Sequence, residues 1–231
     1  MTREESAGED GLGASARKLR FAADDAALIV IDVQNDFCHI DGALARQGRD
    51  VHRVHAAVEN LSRFIDDART AGVPVVFVQN RHDEASDTDA WRARHPDRDR
   101  DQSCQVGSWG AEFFEVAPGP ADHVVVKHRY DAFTRTGLEE LLGSLHRTSL
   151  LFAGVTTSIC VESSLRAAVC RDFLATLVED CCGAYSDAAH TRGVESVALG
   201  FGVVAGSDEI RAAWAAETGS TRQRGSVSTS A

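Results

Sequence analysis

Short apolar runs recur through the middle of the chain, at 27–31, 73–78, 123–126, 149–155, 174–178 and 202–205, each rich in Val, Ile or Leu and without polar alternation. Runs of this kind predict strands buried on both faces, as in a parallel sheet. Between them the spacing changes. Val51, Val54, Val58, Leu61, Phe64, Ile65 and Ala68 follow at threes and fours, with Gly72 placed to cap the end of a helix. Leu138, Leu141, Leu142 and Leu145 repeat the pattern. Strand and helix in alternation imply right-handed crossovers, hence an α/β fold in three layers with helices on both faces of a central, mostly parallel sheet.

The ends differ from this middle. Positions 1–20 and 217–231 are poor in apolar residues and are expected as disordered tails around one domain at 21–216. The stretch 81–105 is charged and lacks periodicity, so it reads as an active-site lid or a solvated surface excursion, with composition favouring the second. At 231 residues and 43% hydrophobic content the chain can fill one core without splitting into two.

Charge narrows the partners. With 24 Lys and Arg against 35 Asp and Glu, the net charge of -11 repels a phosphate backbone, so no nucleic acid is expected. Positions 1–18 hold no apolar signal core and no later run is long enough to span a bilayer, which leads to the expectation of a cytoplasmic protein without membrane contact. Six cysteines at 38, 104, 160, 170, 181 and 182 form no C-x-x-C pair. A disulfide framework is not expected, and Cys170, Cys181 and Cys182 read as small buried hydrophobes.

Ligands of an open α/β sheet bind beyond the carboxyl ends of its strands. Asp32 follows the first run, Gln79 and Asn80 the second, Lys127 the third, and the fourth leads through Thr156–Ile159 to Cys160. Alone, each is an ordinary turn or core residue; together they could deliver an acid, an amide pair, an ammonium and a thiol to one edge. Val161, Leu165, Ala168 and Val169 mark a helix starting at or near Cys160. A helix N-terminus lowers a thiol pKa, and the preceding turn offers N–H groups to an oxyanion. A carboxylate beside that thiol could take its proton and later hand it to a leaving amine.

The segments AALIVIDVQNDF (26–37), VPVVFVQN (73–80), VGSWGAEFF (106–114), VVVKHRYDAF (124–133) and GVTTSICVESSLRAA (154–168) resemble, in order, the isochorismatase-like cysteine hydrolases. The resemblance implies their Rossmann-like three-layer fold. Carried over by position, it makes Asp32 the general acid/base, Lys127 the third triad member and Cys160 the nucleophile. It further implies a cis peptide before Thr156, an oxyanion hole from the N–H groups of Thr156 and Cys160, and a homodimer or homotetramer.

Departures from the family pattern select among its reactions. Nicotinamidases carry Asp-x-His after the second strand to bind a metal; here the stretch reads Gln79-Asn80-Arg81-His82, and His82 with His95 reads as solvated, so neither metal nor other cofactor is expected. The presence of Cys160 argues against the vinyl-ether reaction of isochorismatases proper. Gln79-Asn80, Gly107-Ser108-Trp109 and the residues after Cys160 look closest to the ureidoacrylate and biuret hydrolases, which implies a small amide or acyl-urea substrate. Asn80 is expected to hydrogen-bond it and Phe37, Trp109, Tyr130 and Phe133 to wall the pocket, each aromatic being alternatively plain core. Glu162 and Arg166 read as a local ion pair. The alternatives are a streptothricin-type lactam hydrolase, a nicotinamidase, and a catalytically silent binding protein; retention of Asp32, Lys127 and Cys160 argues against the last.

Overall fold

A computed structural model describes residues 20–94 and 103–225, with side chains through Glu217. Six strands form one sheet: β1 (Ala26–Ile31), β2 (Val75–Asn80), β3 (His123–Lys127), β4 (Ser149–Val155), β5 (Leu174–Gly183) and β6 (Val203–Ala205). All pairings are parallel and the order is β3-β2-β1-β4-β5-β6. Each strand grows from one of the six apolar runs. β2 begins later than its run because Pro74 cannot donate to a ladder, and it extends through Gln79 and Asn80, so the polar pair sits inside the strand.

The helices are α1 (Asn35–Cys38), α2 (Ala43–Arg46), α3 (His52–Thr70), α4 (Asp89–Ala93), α5 (Leu138–Ser144), α6 (Glu162–Val169), α7 (Asp187–Gly200) and α8 (Ser207–Gly225). A π turn, Thr157–Val161, leads directly into α6. The apolar stripe of α3, from Val54 to Ala68, closes one face of the sheet, and Trp214 of α8 stacks on Phe64 with centroids 5.3 Å apart. On the other face Leu138, Leu142, Val161, Leu165, Ala168 and Val197 pack on Ile29, Ile31, Leu150 and Phe152. The three layers expected are therefore present, with a separate apolar core on each side of the sheet. Among the described residues no helix is long and apolar enough to cross a membrane.

The burial reading of Cys170 needs correction, and the structure adds to the reading of two other segments. Helix α8 continues across position 216, where a C-terminal tail was expected to begin; Trp214 Nε1 donates to the Phe21 carbonyl at 2.7 Å and Glu217 accepts from Ala23 N–H, which ties this helix to the domain. The N-terminal tail lies outside the described residues except for Arg20. Cys170 is exposed, since it caps the end of α6 on the solvent side, while Cys181 and Cys182 are buried as read. The ends of the 81–105 excursion are built into the protein: His82, Ser103 and Cys104 are buried, and His82 bridges to Gln105.

β1 and β4 are neighbours, with Ile31 opposite Gly154. Gly154 has φ +113°, and a Cβ there would lie 2.2 Å from the Ile31 carbonyl oxygen. Only glycine meets both demands. Gly154→Ala is expected to cost about 3 kcal/mol or more through strain and overlap, read as a lower urea midpoint. Gly143→Ala, in α5 with nothing within 4 Å, should stay within about 1 kcal/mol of the parent or stabilise it.

Candidate active site

The strand order reverses between β1 and β4, and such a switch point opens a crevice beyond the carboxyl ends of the strands. Asp32 leaves β1 with φ 53°, a left-handed conformation that Asp tolerates better than most residues, while its N–H still donates to Val78 O at 3.0 Å. Lys127 ends β3, two strands away, a lateral span of roughly 10 Å between backbones. Its side chain crosses that span beneath Asn80, its partner in register, and places Nζ 2.8 Å from Asp32 Oδ2. A second bond runs from Nζ to Arg129 O at 2.9 Å. Both side chains are cut off from water, at 0% and 1% exposure.

Cys160 sits inside the π turn rather than at the first residue of a helix. The N–H groups of Ile159 and Val161, on either side of it, both donate to the Thr156 carbonyl. The peptide between Val155 and Thr156 is cis, as the resemblance implied. Thr156 and Cys160 are both buried.

These three ionisable groups act on one another. Burial raises the Asp32 carboxyl above its ordinary 3.8, against the pull of the Lys127 ammonium. Burial works to deprotonate Lys127, but the Asp32 carboxylate, by charge and hydrogen bond, opposes it and the pKa of Lys127 is raised. Burial likewise pushes the Cys160 thiol up to about 12, with Lys127 lowering it and Asp32 raising it. The thiol is therefore neutral at rest beside the Lys127–Asp32 pair. The lowering of the thiol pKa expected from a helix N-terminus is outweighed by burial.

The remaining expected residues are placed unevenly. Asn80 is buried and its Oδ1 has no hydrogen-bond partner, as does Gln79 Oε1 beside it. Phe37 packs half-buried against the α3-side core, its carbonyl accepting from Tyr185 Oη at 3.0 Å. Trp109 stands 46% exposed with its ring edge-on to His39. Phe133 is buried in the same apolar cluster as Cys160. Tyr130 faces outward, where it lines a cleft of about 570 Å³ with Trp91, Arg129 and Ser163, none of the three central groups reaching that wall. Glu162 and Arg166 pair at 2.6 Å as expected.

His82, read as solvated, is buried, with Nδ1 2.8 Å from Asp87 Oδ1 and its ring stacked on Trp91. His95 lies outside the described residues. Among the described residues no group of three or more His, Cys, Asp or Glu is arranged to hold a metal ion.

Sequence reading missed the residues that hold this arrangement. Gln34 donates through Nε2 to Asn80 O and Ala111 O and accepts Asn80 N–H at 2.7 Å, fixing β2 against β1. Asp36 accepts the N–H groups of Ala43 and Cys104 and so gathers the loops that carry His39 and Trp109. Gln34 and Asp36 lie just beyond the first apolar run, in the segment 26–37 that resembles the family, and nothing in their spacing marked the contacts they make.

A thiol, a carboxylate and an ammonium enclosed at the switch point of a parallel sheet have the form of a cysteine-hydrolase centre. The chain belongs to the isochorismatase domain family, whose model matches residues 26–209. It is similar to a ureidoacrylate amidohydrolase from Variovorax paradoxus (strain S110), 32% identical over 223 residues that cover 90% of this chain and 88% of that protein. Among solved structures, a cysteine hydrolase from Pseudomonas syringae pv. phaseolicola 1448A matches with a TM-score of 0.76 at 25% identity, over 84% of this chain and 94% of that one. An N-carbamoylsarcosine amidase from Thermoplasma acidophilum matches with a TM-score of 0.67 at 26% identity, over 80% and 97%. The expected fold and family are borne out.

Removing one member of the buried pair leaves the other uncompensated. Lys127→Ala is expected to lose about 3–5 kcal/mol near neutral pH, and Asp32→Asn/Lys127→Met to recover most of that. Without the ammonium, the folded-state pKa of Asp32 rises further above its ordinary 3.8. The deficit of Lys127→Ala is therefore complete above that folded pKa and shrinks as the pH falls toward 3.8. Urea unfolding at several pH values measures it.

Proposed function

We propose that this protein hydrolyses the C–N bond of a small ureido or amide substrate, with Cys160 as nucleophile, Asp32 as acid/base and Lys127 as the cation that holds them. The carrying observation is the Lys127–Asp32 pair, closed at 2.8 Å and buried against the Cys160 thiol. The reaction class, hydrolysis of a C–N amide bond, is that of its amidohydrolase relatives at about 30% identity over most of the chain.

Because the thiol is neutral at rest, its proton must leave as the sulfur attacks. Asp32 accepts that proton while Sγ adds to the carbonyl carbon. The N–H groups of Thr156 and Cys160 receive the negative charge that develops on oxygen. Collapse breaks the C–N bond, and the proton on Asp32 goes to the departing nitrogen, leaving a thioacyl enzyme. Asp32, again ionised, takes a proton from water as the water attacks the thioester, and the second collapse returns the thiol. Lys127 stays protonated throughout and stabilises whichever neighbour is anionic.

The substrate class follows from the orphaned acceptors. A buried Asn80 Oδ1 without a partner is costly when empty and rewarding when it meets an N–H. A ureido or acyl-urea group supplies such donors, and the V. paradoxus relative is a ureidoacrylate amidohydrolase; both support a ureidoacrylate-like substrate. Phe37 and Trp109 complete the wall in this reading. Tyr130 and Phe133 contribute from outside and beneath it. Six free cysteines support a reducing, cytoplasmic setting. Membership of the isochorismatase domain family supports the homodimer or homotetramer, which light scattering tests.

Ammonia release should be measured from ureidoacrylate, biuret, N-carbamoylsarcosine, nicotinamide and a streptothricin, with ureidoacrylate or biuret expected to turn over fastest. Cys160→Ala should abolish turnover and Asp32→Asn should lose on the order of 10²-fold or more. Intact turnover in Cys160→Ala sinks the mechanism. The acid limb of kcat/KM should fall with a pKa above 3.8, because the ionised Asp32 is the active form and burial raises its pKa. An acid limb at or below 3.8 would assign that step to another group. Asn80→Leu, which removes the acceptor at similar volume, should raise KM roughly 10-fold or more, the scale of one unmade buried hydrogen bond.

A further inference from the structure

Helix α7 turns one face toward the turn that carries Cys160. His190, Gly193, Ser196 and Val197 lie along that face at helical spacing. His190 Nδ1 is 3.0 Å from Thr157 Oγ1. One turn on, a Cβ added to Gly193 would lie 3.1 Å from the Cα and N of Ser158 and from Thr157 Cγ2. A further turn on, Ser196 Oγ donates to Glu162 Oε1 at 2.7 Å, and the same oxygen receives Arg166. Val197 ends the stripe in the apolar cluster that contains Cys160.

Thr157 is fully buried and is the first residue of the π turn. π geometry is rare outside single turns of this kind and recurs at functional sites. Donors for an oxyanion are useful only when held where the charge will develop. A helix that merely covered the turn needs apolar contact alone; this one adds a hydrogen bond to its first side chain and a glycine at its closest approach.

We infer that His190 is a positioning residue for the nucleophile: through Thr157 it holds the backbone from Thr156 to Cys160 in the geometry that receives the oxyanion, and Gly193 lets α7 close on that backbone. The inference rests on the reading of Cys160 as nucleophile. Its effect belongs to the transition state and not to substrate binding, so it should appear in kcat and spare KM.

The test compares wild type with His190→Ala, His190→Asn, Thr157→Val and the double variant His190→Ala/Thr157→Val, by amide hydrogen exchange and by steady-state kinetics on ureidoacrylate. In His190→Ala and Thr157→Val, exchange at 157–161 should rise about 10-fold while the rest of the domain keeps its protection. Kcat should fall roughly 10- to 100-fold with KM held within about threefold, on the scale of a displaced oxyanion donor. The double variant should be no worse than either single one, because both remove the same bond. His190→Asn, whose side-chain nitrogen can stand near the place of Nδ1, should restore most of kcat. Unchanged exchange at 157–161 in His190→Ala overturns the inference whatever the substrate proves to be. So does full kcat in that variant, or a kcat loss that His190→Asn shares in proportion to lost stability. Failure of the nucleophile reading is seen separately, as turnover retained in Cys160→Ala.

Discussion

The ammonium of Lys127 and the carboxylate of Asp32 meet at 2.8 Å with neither reachable by water, and keeping them together constrains three strands at once. Desolvating two such ions costs several kcal/mol each, recovered only if geometry and secondary hydrogen bonds are good. Lys127 must therefore end β3 in register with Asn80, β2 must hold its register with β1, and Asp32 must leave β1 in a left-handed conformation. Gln34 serves that requirement by binding the backbone of Asn80 on both its N–H and its carbonyl. The second bond of Nζ, to Arg129 O, holds the lysine head against rotation.

The same burial shapes the chemistry. It raises the thiol to about 12, so the sulfur holds its proton until attack, and it lifts the carboxyl above 3.8, which makes the Asp32 carboxylate a stronger base than it would be in water. Enclosure also leaves the ammonium unscreened, so that its attraction follows the negative charge as it passes between sulfur and carboxylate. Under the proposed mechanism the thiolate is never a resting species; it forms with the attack, and this suits a nucleophile kept inert between turnovers.

Around this centre the supports come from elements distant in the chain. Asp36 draws the loops at 39–43 and 103–111 together, Tyr185 holds the Phe37 carbonyl from just beyond β5, and α7 packs on the π turn through His190 and Thr157. At Gly154 and Gly193 backbone approaches backbone, at the Ile31 carbonyl and at Ser158. The turn that carries Cys160 is thus held by packed secondary structure, while Trp109, on a short 3-10 turn, and Tyr130 are exposed.

What the sequence determined by itself was the part governed by local burial. A strand covered on both faces is apolar along most of its length, so Leu28–Ile31, Val75–Val78 and Leu150–Val155 could be read without knowing their neighbours, with polar residues following toward the carboxyl ends of the strands. The stripe from Val54 to Ala68 announced a helix for the same reason. Tertiary structure alone decided which strand lies beside which, and so that Lys127 reaches past β2 to Asp32. It also buried His82 against Asp87, exposed Cys170, turned Tyr130 outward, carried α8 beyond position 216 and brought His190 to Thr157. Each of these depends on contacts between segments, or on the side of an element that solvent reaches. Composition reports how apolar a position is; the register and crossing of elements determine what a polar group meets once it is buried.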